Sequence, residues 1–143
     1  RLRQTYTGGD SGDPCKIRII FIKRALKFMT IRTLKELLGA ELICGEDHLD
    51  CDVHSACGSD MMSDVLAYVK DQAVLLTGLV NSQVIRTAEM MDMVCIVFVR
   101  SKRPTLEMIE TAQESGIALL STEKRMFEAC GILYTNGLCG AKT

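Results

Sequence analysis

Short runs of almost purely apolar residues alternate with amphipathic segments along most of this chain. The runs Ala73–Thr77 and 94–99 show no alternation of apolar and polar residues, which is typical of β-strands that are buried on both faces. A segment with apolar residues at helical spacing follows each run. Buried strands joined by such helices favour a parallel sheet that helices cover. The sequence therefore predicts the α/β class, with a mostly parallel sheet flanked by helices in a single small domain.

Capping residues and turn signals divide the chain into predicted elements. The predicted elements, in chain order, are a helix at 31–38 between Thr30 and Gly39, strands at 40–44 and 53–57, a helix from 61 to 69 capped by Ser59 or Asp60, a strand at 73–77, a helix capped by Asn81 or Ser82 that reaches 91, a strand at 94–99, a helix from Thr105 to Gly116, a strand at 117–120, and a helix capped by Ser121 or Thr122 that reaches about 134. The short strands of the first half predict a hairpin or a sheet edge.

Charge is distributed unevenly over the 143 residues, although the net charge is only -1. Residues 1–28 contain seven Lys or Arg and two Asp, a balance of +5, whereas residues 29–143 contain ten and sixteen, a balance of -6. The first part predicts a basic, poorly structured N-terminal extension, with a basic segment that touches a membrane or a partner as the alternative. The near-neutral total excludes the basic composition typical of a dedicated nucleic-acid binder.

The seven cysteines are scattered and odd in number. The first fourteen residues are polar and glycine-rich, unlike a secretory signal, which has a long apolar region. Together these features predict reduced thiols and a cytoplasmic location. No apolar run approaches the ~20 residues that span a bilayer, so no membrane span is expected.

A parallel sheet places the carboxyl ends of its strands and the N-termini of the following helices at one edge, where ligands of α/β proteins bind. Four loops there are rich in hydroxyl, amide or cationic side chains, and free backbone N–H groups suit an anion such as a phosphate. The alternative is that these residues only cap helices. The candidate ligand-binding residues are Gly58, Ser59, Asp60, Thr77, Gly78, Asn81, Ser82, Arg100, Lys102, Arg103, Ser121 and Thr122.

The usual catalytic motifs of nucleotide enzymes do not occur in this sequence. There is no G-x-x-x-x-G-K-[ST] loop after a strand and no G-x-G-x-x-G fingerprint. No catalytic triad is recognisable either. We therefore expect a protein without enzymatic activity, with no catalytic residue and no cofactor.

Both histidines and three cysteines fall within fourteen residues. They are Cys44, His48, Cys51, His54 and Cys57. Thiolate and imidazole are common zinc ligands, but the C-x-x-C spacing of structural zinc sites is missing. A strand at 53–57 would also place His54 and Cys57 on opposite faces. No metal is expected, and a metal or redox sensor remains the alternative for this segment.

Several strings from residue 29 to about residue 138 resemble the DRTGG domain family, a small α/β module. The strings are Leu37-Leu38-Gly39-Ala40-Glu41, the segment 58–65, Leu75-Leu76-Thr77-Gly78, the segment 81–88, and Leu119-Leu120-Ser121-Thr122 with Phe127-Glu128. The name-giving signature differs here. Leu79-Val80 stands where the family has Asp-Arg, and Val99-Arg100-Ser101 stands where it has Thr-Gly-Gly.

The resemblance implies a DRTGG-like α/β domain over residues 29–143, similar in fold to the N-terminal domain of HPr kinase/phosphorylase. It implies a regulatory or scaffold module, dimeric, that senses an anionic small molecule such as a nucleotide or a phosphate metabolite, or that binds an enzyme partner. A small phosphate-handling enzyme is the alternative from another class. Nucleic acid is not expected as a partner, and no membrane span is expected.

Overall fold

A five-stranded sheet with helices on both faces forms the centre of the computed structural model, which describes residues 29–68 and 72–140. The helices are α1 Ile31–Leu38, α2 Met62–Tyr68, α3 Ser82–Met90, α4 Leu106–Ser115 and α5 Met126–Thr135, and a short 3-10 helix covers Glu46–His48. The strands are β1 Glu41–Cys44, β2 Ser55–Gly58, β3 Ala73–Thr77, β4 Cys95–Phe98 and β5 Ala118–Ser121. The predicted α/β class is confirmed. The predicted N-terminal extension, 1–28, lies outside the described residues.

The strand order is β1-β5-β4-β3-β2. Strands β2 to β5 are parallel to their neighbours, whereas β1 pairs antiparallel with β5, so that Glu41 faces Ser121. Strands β1 and β2 therefore form the two edges of the sheet. Of the two alternatives for the first half of the chain, the sheet edge is confirmed and the hairpin is wrong. The sheet is mostly parallel, as predicted.

Side chains of the central strands alternate between two separate apolar cores. Leu75 and Ile96 belong to the core beneath α2, α3 and α4, whereas Leu76 and Val97 belong to the core beneath α1 and α5. All four of these side chains have no exposed surface. Burial on both faces explains why these strands have no alternating pattern in the sequence.

Three of the predicted helix N-caps are confirmed. The side-chain oxygens of Thr30, Asn81 and Thr105 accept hydrogen bonds from the backbone N–H three residues later, at 3.2, 3.3 and 3.3 Å. Each bond satisfies an amide that has no partner within its helix. Gly39 and Gly116 end α1 and α4, also as predicted.

The predicted cap of the last helix is wrong. Helix α5 begins at Met126, and the residue before it, Arg125, makes no side-chain capping bond. Ser121 instead belongs to β5, which runs one residue further than predicted. Thr122 is buried, and its hydroxyl donates to the carbonyl oxygen of Leu38 at 2.8 Å. Ser121 and Thr122, which were predicted to cap the last helix, thus connect β5 with the end of α1.

Candidate functional site

The carboxyl ends of the four parallel strands lie at one edge of the sheet, where the candidate ligand-binding residues were expected. Gly58, Thr77 and Ser121 are the last residues of β2, β3 and β5, and Arg100 follows β4 by two positions. The topology therefore places the four predicted loops along the same edge. The contacts within that edge distinguish the residues that meet from those that do not.

The carboxylate of Asp60 joins two of these loops. Its Oδ1 accepts a hydrogen bond from the backbone N–H of Gly78 at 2.7 Å and another from the hydroxyl of Thr77 at 3.0 Å. The same hydroxyl accepts from the backbone N–H of Leu79 at 3.1 Å. Thr77 is itself fully buried. Asp60 thereby links the turn before α2 to the turn that follows β3.

Arg100 completes this group, which we call the Asp60 cluster and which consists of Asp60, Thr77, Gly78 and Arg100. The Nη2 atom of Arg100 lies 3.7 Å from Oδ2 of Asp60, and both side chains are about half exposed. A Cβ atom at Gly78 would lie 2.0 Å from the same Nη2 atom. The absence of a side chain at Gly78 is therefore what lets the guanidinium lie against the backbone.

The backbone of Arg100 and Ser101 is left-handed, with φ of 57° at both residues. Residues other than glycine rarely adopt this conformation, and they persist in it only where the surroundings hold them. Here the N–H of Arg100 donates to the carbonyl oxygen of Lys124, and that of Ser101 donates to the carbonyl oxygen of Thr122, both at 2.8 Å. These two bonds fix the loop after β4 against the loop after β5, and they direct Arg100 towards Asp60.

The other two cations of the predicted cluster lie apart from Asp60. Arg103 forms an ion pair with Glu41 on the edge strand β1. Lys102 is exposed, and its carbonyl oxygen accepts from the hydroxyl of Ser121 at 2.8 Å. Of the three predicted cations, only Arg100 joins the Asp60 cluster.

The remaining candidates have identifiable local roles. Asn81 caps α3, and Ser82 is the first residue of that helix. The hydroxyl of Ser59 accepts from the N–H of Met61 at 3.0 Å, in the turn before α2. A Cβ atom at Gly58 would lie 2.7 Å from the sulfur of Cys130, on the side of α5. Local roles such as capping therefore account for these positions. They do not account for the Asp60 cluster, whose contacts join residues from three different loops.

Lys124 is a residue at this edge that the candidate set did not include. Its carbonyl oxygen holds Arg100, and its ammonium group lies 3.6 Å from Glu128. Its position in the loop after β5 was the available signal. The backbone contact itself has no signature in the sequence.

The cysteines of the segment 44–57 do not converge on one point. Cys44 lies in β1 and Cys57 in β2, at opposite edges of the sheet. Among the residues that the structure describes, no group of three or more His, Cys, Asp or Glu side chains could hold a metal ion. Burial raises the pKa of both thiols, which favours their neutral form. The metal-sensor alternative therefore has no ligand set in this part of the chain.

Free thiols are found at Cys44, Cys51, Cys57, Cys95 and Cys130. Cys139, by contrast, is disulfide-bonded. The expectation of reduced thiols is confirmed at those five positions and is wrong for Cys139.

Two pockets, each of about 350 Å³, lie away from the Asp60 cluster. The first is mostly apolar and lies between β2 and α5, with Gly58, Phe127 and Tyr134 among its lining residues. The second lies beside His48 and Gly116. Neither is lined by Asp60 or Arg100. We place the candidate anion site at the cluster because its charges and donors suit an anion.

Comparison with known proteins gives a structural match only. No family model matches the chain, and no curated protein matches it. A similar solved structure is that of the CBS and DRTGG domains of the regulatory region of Clostridium perfringens pyrophosphatase, in complex with the activator diadenosine tetraphosphate. The TM-score is 0.60 at 13% sequence identity, over 82% of this chain and 55% of that chain. The match shows a related fold, and this chain spans about half of the matched region. No helix in the described parts of the chain is both long and apolar enough to cross a membrane.

Proposed function

We propose that the chain is a non-catalytic regulatory module of the DRTGG type that senses an anionic small molecule, a nucleotide or a phosphate metabolite, at the Asp60 cluster. The observation that carries this proposal is the position of Arg100. The backbone of Arg100 and Ser101 is held by two hydrogen bonds, and the guanidinium of Arg100 lies 3.7 Å from the Asp60 carboxylate, beside the carboxyl end of β3. A cation next to backbone N–H and hydroxyl donors is an arrangement that binds phosphate oxygens in proteins.

Two independent similarities support a regulatory role. The sequence strings resemble DRTGG domains, and the fold is similar to that of a regulatory region containing such a domain. That region is bound to a nucleotide activator in its own structure. We carry the regulatory role, and with it the ligand class, to this chain as a proposal.

Three hydroxyl groups at the sheet edge are poorly placed to act as a nucleophile. A small phosphate-handling enzyme would need an accessible nucleophile or base among them. Thr77 and Thr122 are buried, and each donates its hydroxyl proton to an acceptor within the protein. Ser121 is also buried and donates to a carbonyl oxygen. These three hydroxyl groups hold the loops at the sheet edge through hydrogen bonds, and none of the three is accessible to a substrate.

We also propose that the protein is a homodimer, that it is located in the cytoplasm, and that it binds an enzyme as its partner. Several large apolar side chains in the described residues are exposed to solvent, the most exposed being Phe127 at 93% and Leu106 at 80%. Such side chains are candidates for an interface with a second copy or with a partner. Native mass spectrometry of the freshly isolated protein would report the oligomer size and any ligand that co-purifies.

The test of the anion site compares two arginine variants. We expect a nucleotide panel that includes ATP and diadenosine tetraphosphate to raise the melting temperature of the native chain, because a ligand that binds the folded state stabilises it. Arg100→Ala should weaken binding by roughly tenfold or more, the usual effect of losing a charged hydrogen bond. The control is Arg32→Ala, since Arg32 is half exposed and pairs with Asp50 rather than with the cluster. Equal binding by both variants, or no stabilisation of the native chain, would contradict the proposal.

A further inference from the structure

The carboxylate of Asp60 occupies the place that an anionic ligand would take. Its oxygens accept from the N–H of Gly78 at 2.7 Å and from the hydroxyl of Thr77 at 3.0 Å, and they lie 3.7 Å from the guanidinium of Arg100. A backbone amide, a hydroxyl and a guanidinium are the donors that typically hold a phosphate oxygen. We call these three donors, which Thr77, Gly78 and Arg100 supply, the anion cradle. In this structure the protein's own carboxylate at Asp60 occupies it.

Two of the three donors belong to the sheet or to the residue after it, whereas the carboxylate that they hold lies in a turn. Thr77 is buried in the sheet, and Arg100 follows a strand with its backbone held by the bond to Lys124. Asp60 lies in the turn between β2 and α2, with a side chain that is 54% exposed. The Thr77 hydroxyl and the Gly78 N–H belong to the end of β3 and the residue after it, so rotation of the Asp60 side chain into solvent would expose these two donors. The carboxylate is thus the replaceable member of the group.

We propose that Asp60 is a specificity-determining residue, an internal competitor that fills the anion cradle in the unliganded protein and that a ligand must displace. This inference rests on the proposed anion-sensing function and adds the ligand class. A monocarboxylate would merely exchange one carboxylate for another, so it gains little from binding. A phosphoryl group carries up to about two negative charges and three acceptor oxygens, so it interacts more strongly with the same donors. The cradle therefore selects phosphoryl groups over carboxylates.

The test removes the competitor and offers simple anions. In titration calorimetry with inorganic phosphate, Asp60→Ala should bind roughly tenfold more tightly than the native chain, a factor set by one Coulomb interaction at this distance in a half-solvated site. Acetate, which can replace the missing carboxylate, should bind Asp60→Ala and not the native chain. The control is Asp64→Ala, which removes a neighbouring exposed carboxylate outside the cluster. The double variant Asp60→Ala, Arg100→Ala should lose the gain.

A second variant guards against a folding defect in Asp60→Ala. Asp60→Asn keeps an oxygen that can accept from Gly78 and removes the charge opposite Arg100, so its phosphate affinity should lie between those of the native chain and Asp60→Ala. Circular dichroism of each variant verifies that it is folded.

The outcomes separate this inference from the function on which it rests. If Asp60→Ala binds phosphate no more tightly than Asp64→Ala, Asp60 is not a competitor, and the inference is overturned. If the native chain binds nucleotides through Arg100 but both Asp60 variants bind them less well, Asp60 contacts the ligand, so the inference fails while the anion-sensing function stands. If neither the native chain nor Asp60→Ala binds any of these anions, both are wrong.

Discussion

The contact between Gly45 and strand β5 allows a quantitative prediction. Gly45 follows β1 with φ of 96°, a backbone conformation that residues with a side chain rarely adopt. A Cβ atom built there would lie 2.6 Å from the Cα atom of Ala118 and 2.8 Å from its Cβ atom. Ala118 has little room to withdraw, because it is paired with Cys95 in the centre of the sheet. Gly45→Ala must therefore displace backbone as well as adopt a strained φ.

The expected loss is the sum of those two costs. A left-handed backbone costs an L-residue about 1–2 kcal/mol, and overpacking against a fixed neighbour costs about 1–3 kcal/mol. We expect Gly45→Ala to lower the free energy of unfolding by about 2–5 kcal/mol, a large share of the ~5–15 kcal/mol of a typical domain. Gly39→Ala is the matched control, since Gly39 is also left-handed, with φ of 57°, but its Cβ would meet nothing within 4 Å. Its cost should be the conformational one alone, about 1–2 kcal/mol.

Urea unfolding followed by circular dichroism measures both variants against the native chain. Equal m-values would show that the free energies can be compared directly. The informative quantity is the difference between the two variants, because the shared conformational cost cancels from it. A Gly45→Ala variant no less stable than Gly39→Ala would refute the close packing of Gly45 on β5.

Two further predictions concern buried polar groups. Burial strongly raises the pKa of the Cys95 thiol. Above about pH 8.5 the unfolded chain therefore loses this proton while the folded chain keeps it, and this thiol alone should lower the stability by up to about 1.4 kcal/mol per pH unit. Cys95→Ala should show a shallower fall in stability than the native chain between about pH 8 and pH 10 in urea titrations, and an equal slope would contradict the expected contribution of this thiol. Thr122→Val should cost about 1–3 kcal/mol, because it leaves the carbonyl oxygen of Leu38 without its hydrogen bond, and Thr122→Ser, which keeps the hydroxyl, should lose clearly less in the same assay.

The core of the fold could be predicted because its signals are local. Strands β3 and β4 are uniformly apolar, which indicates burial on both faces, and Thr105 and Asn81 cap their helices through bonds that span only three residues. The start of α5 could not be predicted in the same way. Thr122 resembles a cap in sequence, but the carbonyl of Leu38, which is distant along the chain, takes its hydroxyl proton.

The position of the candidate site could be predicted from the sequence more readily than the set of residues that meet there. The parallel strands indicated the sheet edge at which the predicted loops meet, and all four residues of the Asp60 cluster were among the candidates. Which candidates meet depends on loop conformation. Asp60 reaches Gly78 across eighteen positions, and the left-handed backbone of Arg100 has no signal in the sequence, since glycine is the residue that normally marks it.

The pairing of β1 with β5 has a consequence for the order in which the chain folds during synthesis. Glu41 and Ser121 are partners although eighty positions (121 minus 41) separate them. Closing a loop of that length costs about 4 kcal/mol of chain entropy before the strand gains its hydrogen bonds. On a ribosome, β1 emerges before every other strand of the described chain and finds its place only after β5 has followed. We therefore expect the parallel strands to assemble first and β1, although it is synthesised first, to pair with β5 last.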